Sequence, residues 1–447
     1  METKKTEKFT QSITFKAFIV VFMVLILLIP RAMILSLIRE RQQRSIEAVG
    51  RINDKWSNAQ TICGPILSIP YKVKKIEIET IETKENKKEK REKITYSNHI
   101  LNITPEQLDI KVKLFPEEKH YSIYKTILYK SQMDISGSFK NIKFENVENY
   151  EFQWDKSYIT LGVTDLKGVT EELDFSFSGR NFTVEAGGNY NNITDKQLVI
   201  NLDNENIFSP DQDLSFHCTL NLNGSSYMSF IPIGKTTNVE IAGTWKSPGF
   251  IGEFSPEYEI SKDGFTASWS ILHFNRNIPE TWVDYTPHSL SGISFGVNLV
   301  NTVDHYQQNE RSAKYALMFI ALTFVVFFFV EVLTKKKIHP MQYLLVGIAL
   351  ILFYSLLLSF SEQVGFGIAY LIASMATIGL ISTYAYSIFK NKKQTGILTS
   401  LLCILYVFLY IILQLEDIAL LIGSIGLFII LGVIMYISRK INWYKQE

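Results

Sequence analysis

The apolar run FKAFIVVFMVLILLIPRAMILSLI (15–38) decides the fold class of this chain. At roughly 1.5 Å per residue it is long enough to cross a hydrocarbon core of roughly 30 Å as one helix. Because no small-x-small cleavage site follows and the apolar part is long, the run indicates an uncleaved anchor rather than a signal peptide. Arg31 lies late in it, where we expect the side chain to snorkel to the membrane interface.

Five more apolar runs crowd into the C-terminal third of the chain, joined by short connections. Each has about 20 residues or more, which is enough for one membrane span. With the first run they predict six transmembrane helices, and an even number of spans puts both termini on the same side. The five runs are 314–333, 341–360, 364–389, 395–414 and 417–437.

Basic residues indicate which side of the membrane the termini occupy. They cluster before the first span, in two alternate loops and after the last span, whereas the other loops, 361–363 and 415–417, contain acids and no lysine. The positive-inside rule therefore predicts cytoplasmic segments 1–14 and 438–447 and an extracytoplasmic region 39–313. Three arginines just outside the first span, Arg39, Arg41 and Arg44, point the other way, and we give the remaining loops more weight. The cytoplasmic basic residues are Lys4, Lys5, Lys8, Lys335, Lys336, Lys337, Lys390, Lys392, Lys393, Arg439 and Lys440.

The extracytoplasmic region has two kinds of periodicity. Apolar residues recur every three or four positions just past the first span, which predicts a helical stem. Period-two alternation follows, with turn residues between short segments, and favours an all-β or β-rich domain, sandwich-like in architecture. The stem positions are Ile46, Val49, Ile52, Trp56 and Ala59; the alternating segments are 76–78, 108–114, 133–139, 214–222, 239–245 and 265–271. The almost wholly charged run ETKENKKEKREK (82–93) predicts a solvated hairpin tip or mobile loop.

The stretch WSNAQTICGPILSIPY (56–71) lies where stem and strands meet. Proline disfavours helical geometry in the residue before it, so Gly64–Pro65 is predicted to end the stem helix. The following ILSIPY, which contains Pro70, is predicted to enter the first strand. We interpret the stretch, including Gln60, as a structural elbow.

A second candidate for coupling is DHYQQNERSAKY (304–315), which joins the last strands to the second span. Asp304 and Gln308, and also Glu310 and Lys314, have the i,i+4 spacing of neighbours on a helix. A helix is therefore predicted to begin before the membrane and to couple the domain mechanically to the bundle. Further coupling candidates are Arg311, Glu362, Glu416 and Asp417.

Signals for chemistry are weak throughout the chain. GISFG (292–296) matches the nucleophile-elbow pattern around Ser294, but no suitable acid and histidine follow, so a strand with turn glycines is the preferred interpretation. Cys63 has no adjacent base, and a buried thiol or a Cys63–Cys218 disulfide are both open. The histidines show no metal-binding spacing. We therefore expect no catalytic residue, cofactor or metal, and a formal charge of +1 gives no reason to expect nucleic acid.

Taken in order, several segments resemble the CreD family of bacterial inner-membrane proteins from about residue 41 to 444. The resemblance implies a stress-inducible protein of the inner membrane that contributes to envelope integrity and alters tolerance of colicins and cell-wall antibiotics. It implies no catalytic residues. The segments are SIEAVGRINDKWSNAQTICGPILSIPY, LNGSSYMSFIPIGKTTNVEIAGTWKSPGFIGEF, GFTASWSILHFNRNIPETW, NTVDHYQQNERSAKYALMFIALTFVVFFFVEV, IHPMQYLLVGIALILFYSLLLSFSEQVGFGIAY and LEDIALLIGSIGLFIILGVIMYISRKINWY.

These observations lead to one hypothesis and three alternatives. The main hypothesis is a non-enzymatic envelope-maintenance protein, with a β-rich periplasmic domain held on a six-span unit. Its expected partners are the lipid bilayer and envelope components or other membrane proteins. The alternatives are a transporter or lipid-handling protein for an envelope-active compound, a damage sensor that acts with a partner because its cytoplasmic segments are short, and, with least support, an enzyme.

Overall fold

In the computed structural model the chain forms two compact units, residues 1–47 with 302–447, and residues 48–301. The structure describes residues 13–82, 88–140, 149–187, 196–203, 208, 214–284, 290–299, 305–334, 338–415 and 418–439. The first unit is helical and the second is built from strands, as the uneven distribution of apolar residues predicts. The boundary between them falls inside one long helix, after Glu47.

The helical unit contains a helix at each of the six predicted positions. Four of the described helices are long and apolar enough to cross a membrane, and α2 with α3, bent by 42°, adds a fifth if the pair is one span. In the last helix the described apolar stretch is Leu421–Tyr436. The helices are α1 Ile13–Trp56, α2 His305–Lys314, α3 Ala316–Thr334, α4 Pro340–Val364, α5 Phe366–Phe389, α6 Lys392–Gln414 and α7 Ala419–Ser438.

The prediction of a loop at 361–363 is wrong, because these residues form the last turn of α4. Nothing before Gly365 interrupts the helix. Gly365 has φ of +79°, a conformation that glycine adopts without steric cost, and α5 begins directly after it.

The β unit contains the predicted alternating strands, so its β-rich character is confirmed. Its strands are β1 Gln60–Glu82, β2 Lys88–Ile103, β3 Gln107–Tyr121, β4 Tyr124–Ser138, β5 Tyr150–Phe152, β6 Tyr158–Val163, β7 Asp174–Phe177, β8 Arg180–Gly187, β9 Gln197–Asn201, β10 Ser215–Ser225, β11 Tyr227–Phe230, β12 Thr236–Gly243, β13 Gly249–Gly252, β14 Glu257–Ile260, β15 Phe265–Leu272, β16 Thr281–Val283 and β17 Phe295–Asn298.

Most neighbouring strands pair antiparallel, in two groups that meet at β8. Strands β1, β6 and β9 belong to the first group, whereas β3, β4, β10, β12 and β15 belong to the second. Residues 180–183 of β8 pair with β7, and residues 184–187 pair with β9. The two parallel pairs, β1 with β11 and β3 with β12, join segments far apart in sequence.

One hydrophobic core collects the inward side chains of both groups of strands. Alternate residues of β3 and β15 are buried in it, as period two requires. The far end of β1 is different, because Ile76 and Ile78 alternate with glutamates but are 50% and 61% exposed. Alternation correctly predicts a strand there, and the structure shows that its apolar face is not covered.

Candidate functional site

Helix α2 is bonded to the long helix α1 within the helical unit. Arg39 donates through Nε and Nη2 to one carboxylate oxygen of Glu310, at 3.1 and 2.9 Å. Lys314 approaches the same oxygen at 3.6 Å, one helical turn along α2. The predicted i,i+4 pair of Glu310 with Lys314 therefore exists. The stronger partner of Glu310 is Arg39, which lies on another helix. Such charge-assisted contacts are stronger than neutral hydrogen bonds.

The end of α4 joins the same set of contacts through Glu362, whose side chain is only 9% exposed. Tyr306 of α2 donates its hydroxyl to Glu362 at 3.1 Å, and Arg41 of α1 lies 3.9 Å from the other carboxylate oxygen. Nearby, Asn309 donates to the Ser361 hydroxyl at 2.8 Å. A largely buried carboxylate requires such partners, because desolvation otherwise disfavours its charge.

The Arg31 side chain closes the end of α2, a contact that its place in the apolar run did not predict. Its guanidinium donates to the carbonyl oxygens of Ala313 and Lys314, at 3.2 and 3.1 Å. The last carbonyls of a helix have no partner inside the helix, and a cation there also complements the helix dipole. Arg31 therefore occupies the break at Tyr315, between α2 and α3.

We call these contacts the α2 network. It consists of Arg31, Arg39, Arg41, Tyr306, Asn309, Glu310, Arg311, Lys314, Ser361 and Glu362; Arg311 donates to the Leu415 carbonyl at 3.2 Å. Of the other predicted coupling residues, Gln308 lies half-buried on α2. Asp304, Glu416 and Asp417 lie outside the described residues.

A second polar cluster lies in the β unit, where α1 ends. The buried Gln60 amide donates to the Ser57 hydroxyl and to the carbonyls of Asp165 and Asn223, at 2.8, 2.9 and 3.1 Å. Its oxygen accepts the Asp165 amide at 3.0 Å, so both ends of the side chain are used. The sequence-predicted candidate Gln60 thus bridges the end of the stem, the connection between β6 and β7, and strand β10.

The Asp165 carboxylate completes this stem cluster. It accepts hydrogen bonds from the backbone amides of Asn58 and Lys167, at 3.1 and 3.3 Å, and from the Lys196 ammonium at 3.2 Å. Burial by itself raises the pKa of this carboxyl, but the hydrogen bonds and the lysine outweigh it, so the pKa lies below its usual value. Asp165 is therefore charged at neutral pH and anchors the residues after the helix.

The prediction that Gly64–Pro65 ends the stem helix is wrong. Helix α1 ends at Trp56, and β1 has begun by Gln60. The Gly64–Pro65 peptide bond is cis and lies inside β1, where the pairing with β6 shifts register between Cys63 and Ile66. Proline has no amide hydrogen for the ladder, so it occurs in strands at such irregularities. Pro70 also lies within β1, opposite Ile100 of β2.

Burial does not favour the thiolate form of Cys63 or Cys218, and the elements around Ser294 differ from those of a nucleophile elbow. Burial raises the pKa of the Cys63 and Cys218 thiols to about 12, and both thiols are free rather than joined in a disulfide. Ser294 is followed directly by strand β17. A nucleophile elbow has a strand before the serine and a helix after it, so this local order differs from the elbow.

One buried ion pair near the other end of the helical unit was missed by sequence reasoning. Lys16 of α1 lies 2.8 Å from Glu331 of α3, and Tyr343 of α4 donates to the other carboxylate oxygen at 3.0 Å. The acid is 4% exposed. Because 315 residues separate Lys16 from Glu331 in the chain, no local pattern signals this contact.

Comparison with known proteins places this architecture in a family. The profile of the family described as "Inner membrane protein CreD" matches residues 12–444. The chain belongs to the CreD family. It is similar to the CreD inner-membrane protein of Escherichia coli (strain K12), with 29% identity over 430 residues, which cover 94% of this chain and 91% of that relative. The resemblance inferred from the sequence is confirmed, and the apolar helices are those of a CreD-like inner-membrane protein.

Proposed function

We propose that this protein maintains cell-envelope integrity under stress without catalysing a reaction. In this proposal six helices span the inner membrane, both termini are cytoplasmic and the β-rich unit is a sandwich-like periplasmic domain. The lysine distribution, the six helices and the two groups of strands around one core support it. The protein would act by coupling the periplasmic domain mechanically to the bundle.

Arg39 and Arg41, just outside the first span, favour the opposite orientation. Both lie close to carboxylates, of Glu310 and Glu362, and belong to the α2 network. The basic residues of the other loops agree with one another, so the proposal gives them more weight.

The observation that carries the proposal is the pairing of α1 with α2. Along the chain α1 leads into the β unit and α2 follows it, so these are its two covalent connections to the other helices. Within the helical unit, Arg39 joins them to each other through Glu310. Because α1 and α2 are bonded to each other, a force or displacement acts on both connections together. Two separate connections would not respond as one element. This is the arrangement that mechanical coupling needs.

Charge reversal tests the coupling. In a deletion strain, Arg39→Glu or Glu310→Arg should each lower survival on detergent or a cell-wall antibiotic, because like charges then face each other in the α2 network. The double variant should restore survival, since it restores an opposite pair. Protein abundance is measured by immunoblot in every strain.

Arg44→Glu is the matched control. Arg44 pairs with Glu40 on the same helix, and both side chains are more than half exposed. Such exposed pairs contribute little, so this variant should protect as well as the parent protein. Full protection by both single α2-network variants at normal abundance would contradict the coupling and favour a transporter in which the bundle acts alone.

A further inference from the structure

The hairpin of β1 and β2 extends beyond the rest of the β unit as a two-stranded ribbon. Strand β1 pairs with β5 only at residues 71–73, and β2 pairs with β16 only at 101–103. The Lys74 amide still donates to the Asn149 carbonyl oxygen at 2.9 Å. Beyond it, from Lys75 opposite Thr95 to Glu82 opposite Lys88, the two strands pair only with each other in the described part of the chain. We call residues 74–82 and 88–96 the arm. A two-stranded hairpin alone is marginally stable in water.

The two faces of the arm differ in chemistry. One face carries Glu77 opposite Lys93, a pair of opposite charges suited to water. The other face has three rows, formed by Lys74 with Tyr96, Ile76 with Ile94, and Ile78 with Glu92. Its four large apolar side chains are about half exposed or more: Ile76 50%, Ile78 61%, Ile94 47% and Tyr96 58%.

The order of residues on this apolar face allows the faces of two copies of the chain to pack against each other. We propose that the arms of two copies of this chain pack face to face, about a two-fold axis that crosses the strands at the Ile76–Ile94 row. The rotation places Ile76 on Ile76 and Ile94 on Ile94 of the second copy. It also brings the Lys74–Tyr96 row of each copy onto the Ile78–Glu92 row of the other. Lys74 then lies on Ile78 of the partner and Tyr96 on Glu92, so the Lys74 ammonium is diagonally adjacent to the Glu92 carboxylate.

The charges decide between a second copy and another apolar partner. Lys74 and Glu92 lie at opposite ends of the face, so a two-fold contact brings opposite charges together at both ends. A lipid surface would instead have to bury Glu92, which costs free energy without a partner. The inference concerns contacts between two copies in one membrane and holds on whichever side of it the β unit lies.

The size of the face limits how strongly two arms hold each other. Four side chains are far fewer than the 20–30 residues per partner, or about 800 Å² each, of a stable interface. The arm contact is therefore weak between free molecules. Two chains confined to the same membrane have a high effective concentration, so that they form even a weak contact.

Cross-linking of the full chain in native membrane vesicles tests the arm contact. In a Cys403→Ser background, Ile76→Cys should give a cross-linked dimer with a short bis-maleimide, because two copies of residue 76 meet at the axis. Cys63 and Cys218 are buried and remain in place. Glu77→Cys is the matched control, since it is adjacent and exposed but lies on the opposite face, and it should give little dimer.

Charge reversal in the same background separates specific packing from random collision. Lys74→Glu should reduce the Ile76→Cys dimer roughly twofold to fivefold, and addition of Glu92→Lys should restore it. Equal cross-linking of Ile76→Cys and Glu77→Cys would overturn the proposal. So would absence of dimer from Ile76→Cys in protein that reaches the membrane, and lipid-dependent shielding of that site from a soluble maleimide would then indicate a membrane surface.

Discussion

At the scale of single residues, Gly168 shows how tightly the stem cluster is built. A Cβ atom at this position would lie 2.2 Å from the Asn223 carbonyl oxygen, 2.7 Å from the Gln60 amide nitrogen and 2.8 Å from the Ser57 hydroxyl. The carbonyl belongs to the backbone of β10 and cannot move freely. Glycine at 168 is therefore a condition for the hydrogen bonds of Gln60.

We predict that Gly168→Ala destabilises the protein by roughly 1–3 kcal/mol, the usual cost of overpacking. Thermal unfolding of the full chain in detergent should show a lower Tm. Gly50→Ala is the control, because nothing lies within 4 Å of its Cβ and it sits inside α1. Alanine there should stabilise the helix by roughly 0.5–1 kcal/mol. A Tm for Gly168→Ala equal to that of the parent would show that the cluster is looser than its geometry indicates.

Sequence reasoning identified Gln60 as a candidate but not its role. Two of its three partners, Asp165 and Asn223, lie more than 100 residues along the chain. The same limit applies to Arg31, whose two acceptors are 282 and 283 positions away. Local spacing predicts contacts within one helix, such as Glu310 with Lys314, and cannot predict those that depend on how distant elements pack.

At the scale of elements, the break between α2 and α3 depends on Arg31. Arg31→Leu should destabilise the helical unit, because two carbonyls at the end of α2 lose a charged donor worth roughly 1.5–3 kcal/mol per hydrogen bond. Arg31→Lys keeps the charge but loses the planar guanidinium group that reaches both carbonyls. The Tm of this variant should therefore lie between those of the parent and Arg31→Leu. Thermal unfolding in detergent measures both.

Arg44→Leu serves as the control for loss of an arginine from the same helix. Its only described partner, Glu40, is on its own helix, and the pair is largely exposed. We expect little change in Tm for this variant. A Tm for Arg31→Leu as high as that of Arg44→Leu would contradict the role assigned to Arg31 at the helix break.

The periodicity of apolar residues predicted which segments form helices and strands better than it predicted where those elements begin and end. Alternating apolar residues correctly indicated β3, β4, β10, β12 and β15, because each has one face in the core. The helix breaks were less predictable. Gly64–Pro65 has the composition of a helix stop but lies in a strand, and the polar residues 361–363 have the composition of a loop but continue α4. Partners in the folded chain, such as Tyr306 for Glu362, override these local preferences.

At the scale of the whole molecule, composition predicted the division into a helical and a β-rich unit. The apolar runs are separated by one long polar region, predicted as 39–313, and the structure divides into units after residues 47 and 301. The pairing of strands was not predictable in the same way. β1 pairs with β11 and β3 with β12 across more than 100 residues, and alternation of side chains gives no information about which strands become neighbours.

The proposed function depends above all on the β-rich unit lying in the periplasm, opposite the lysine-rich loops. Labelling of single cysteines with a membrane-impermeant maleimide tests this most directly. The background is Cys403→Ser, in which the two remaining thiols are buried, and the parent of this background measures unspecific labelling. The introduced cysteines are Asn98→Cys on β2 and Lys392→Cys at the start of α6, both at exposed positions.

In intact cells with a permeabilised outer membrane, Asn98→Cys should be labelled. Lys392→Cys should react only after the inner membrane is disrupted. Labelling of Lys392→Cys in sealed cells, with Asn98→Cys protected until disruption, would place the β-rich unit in the cytoplasm and contradict the proposal.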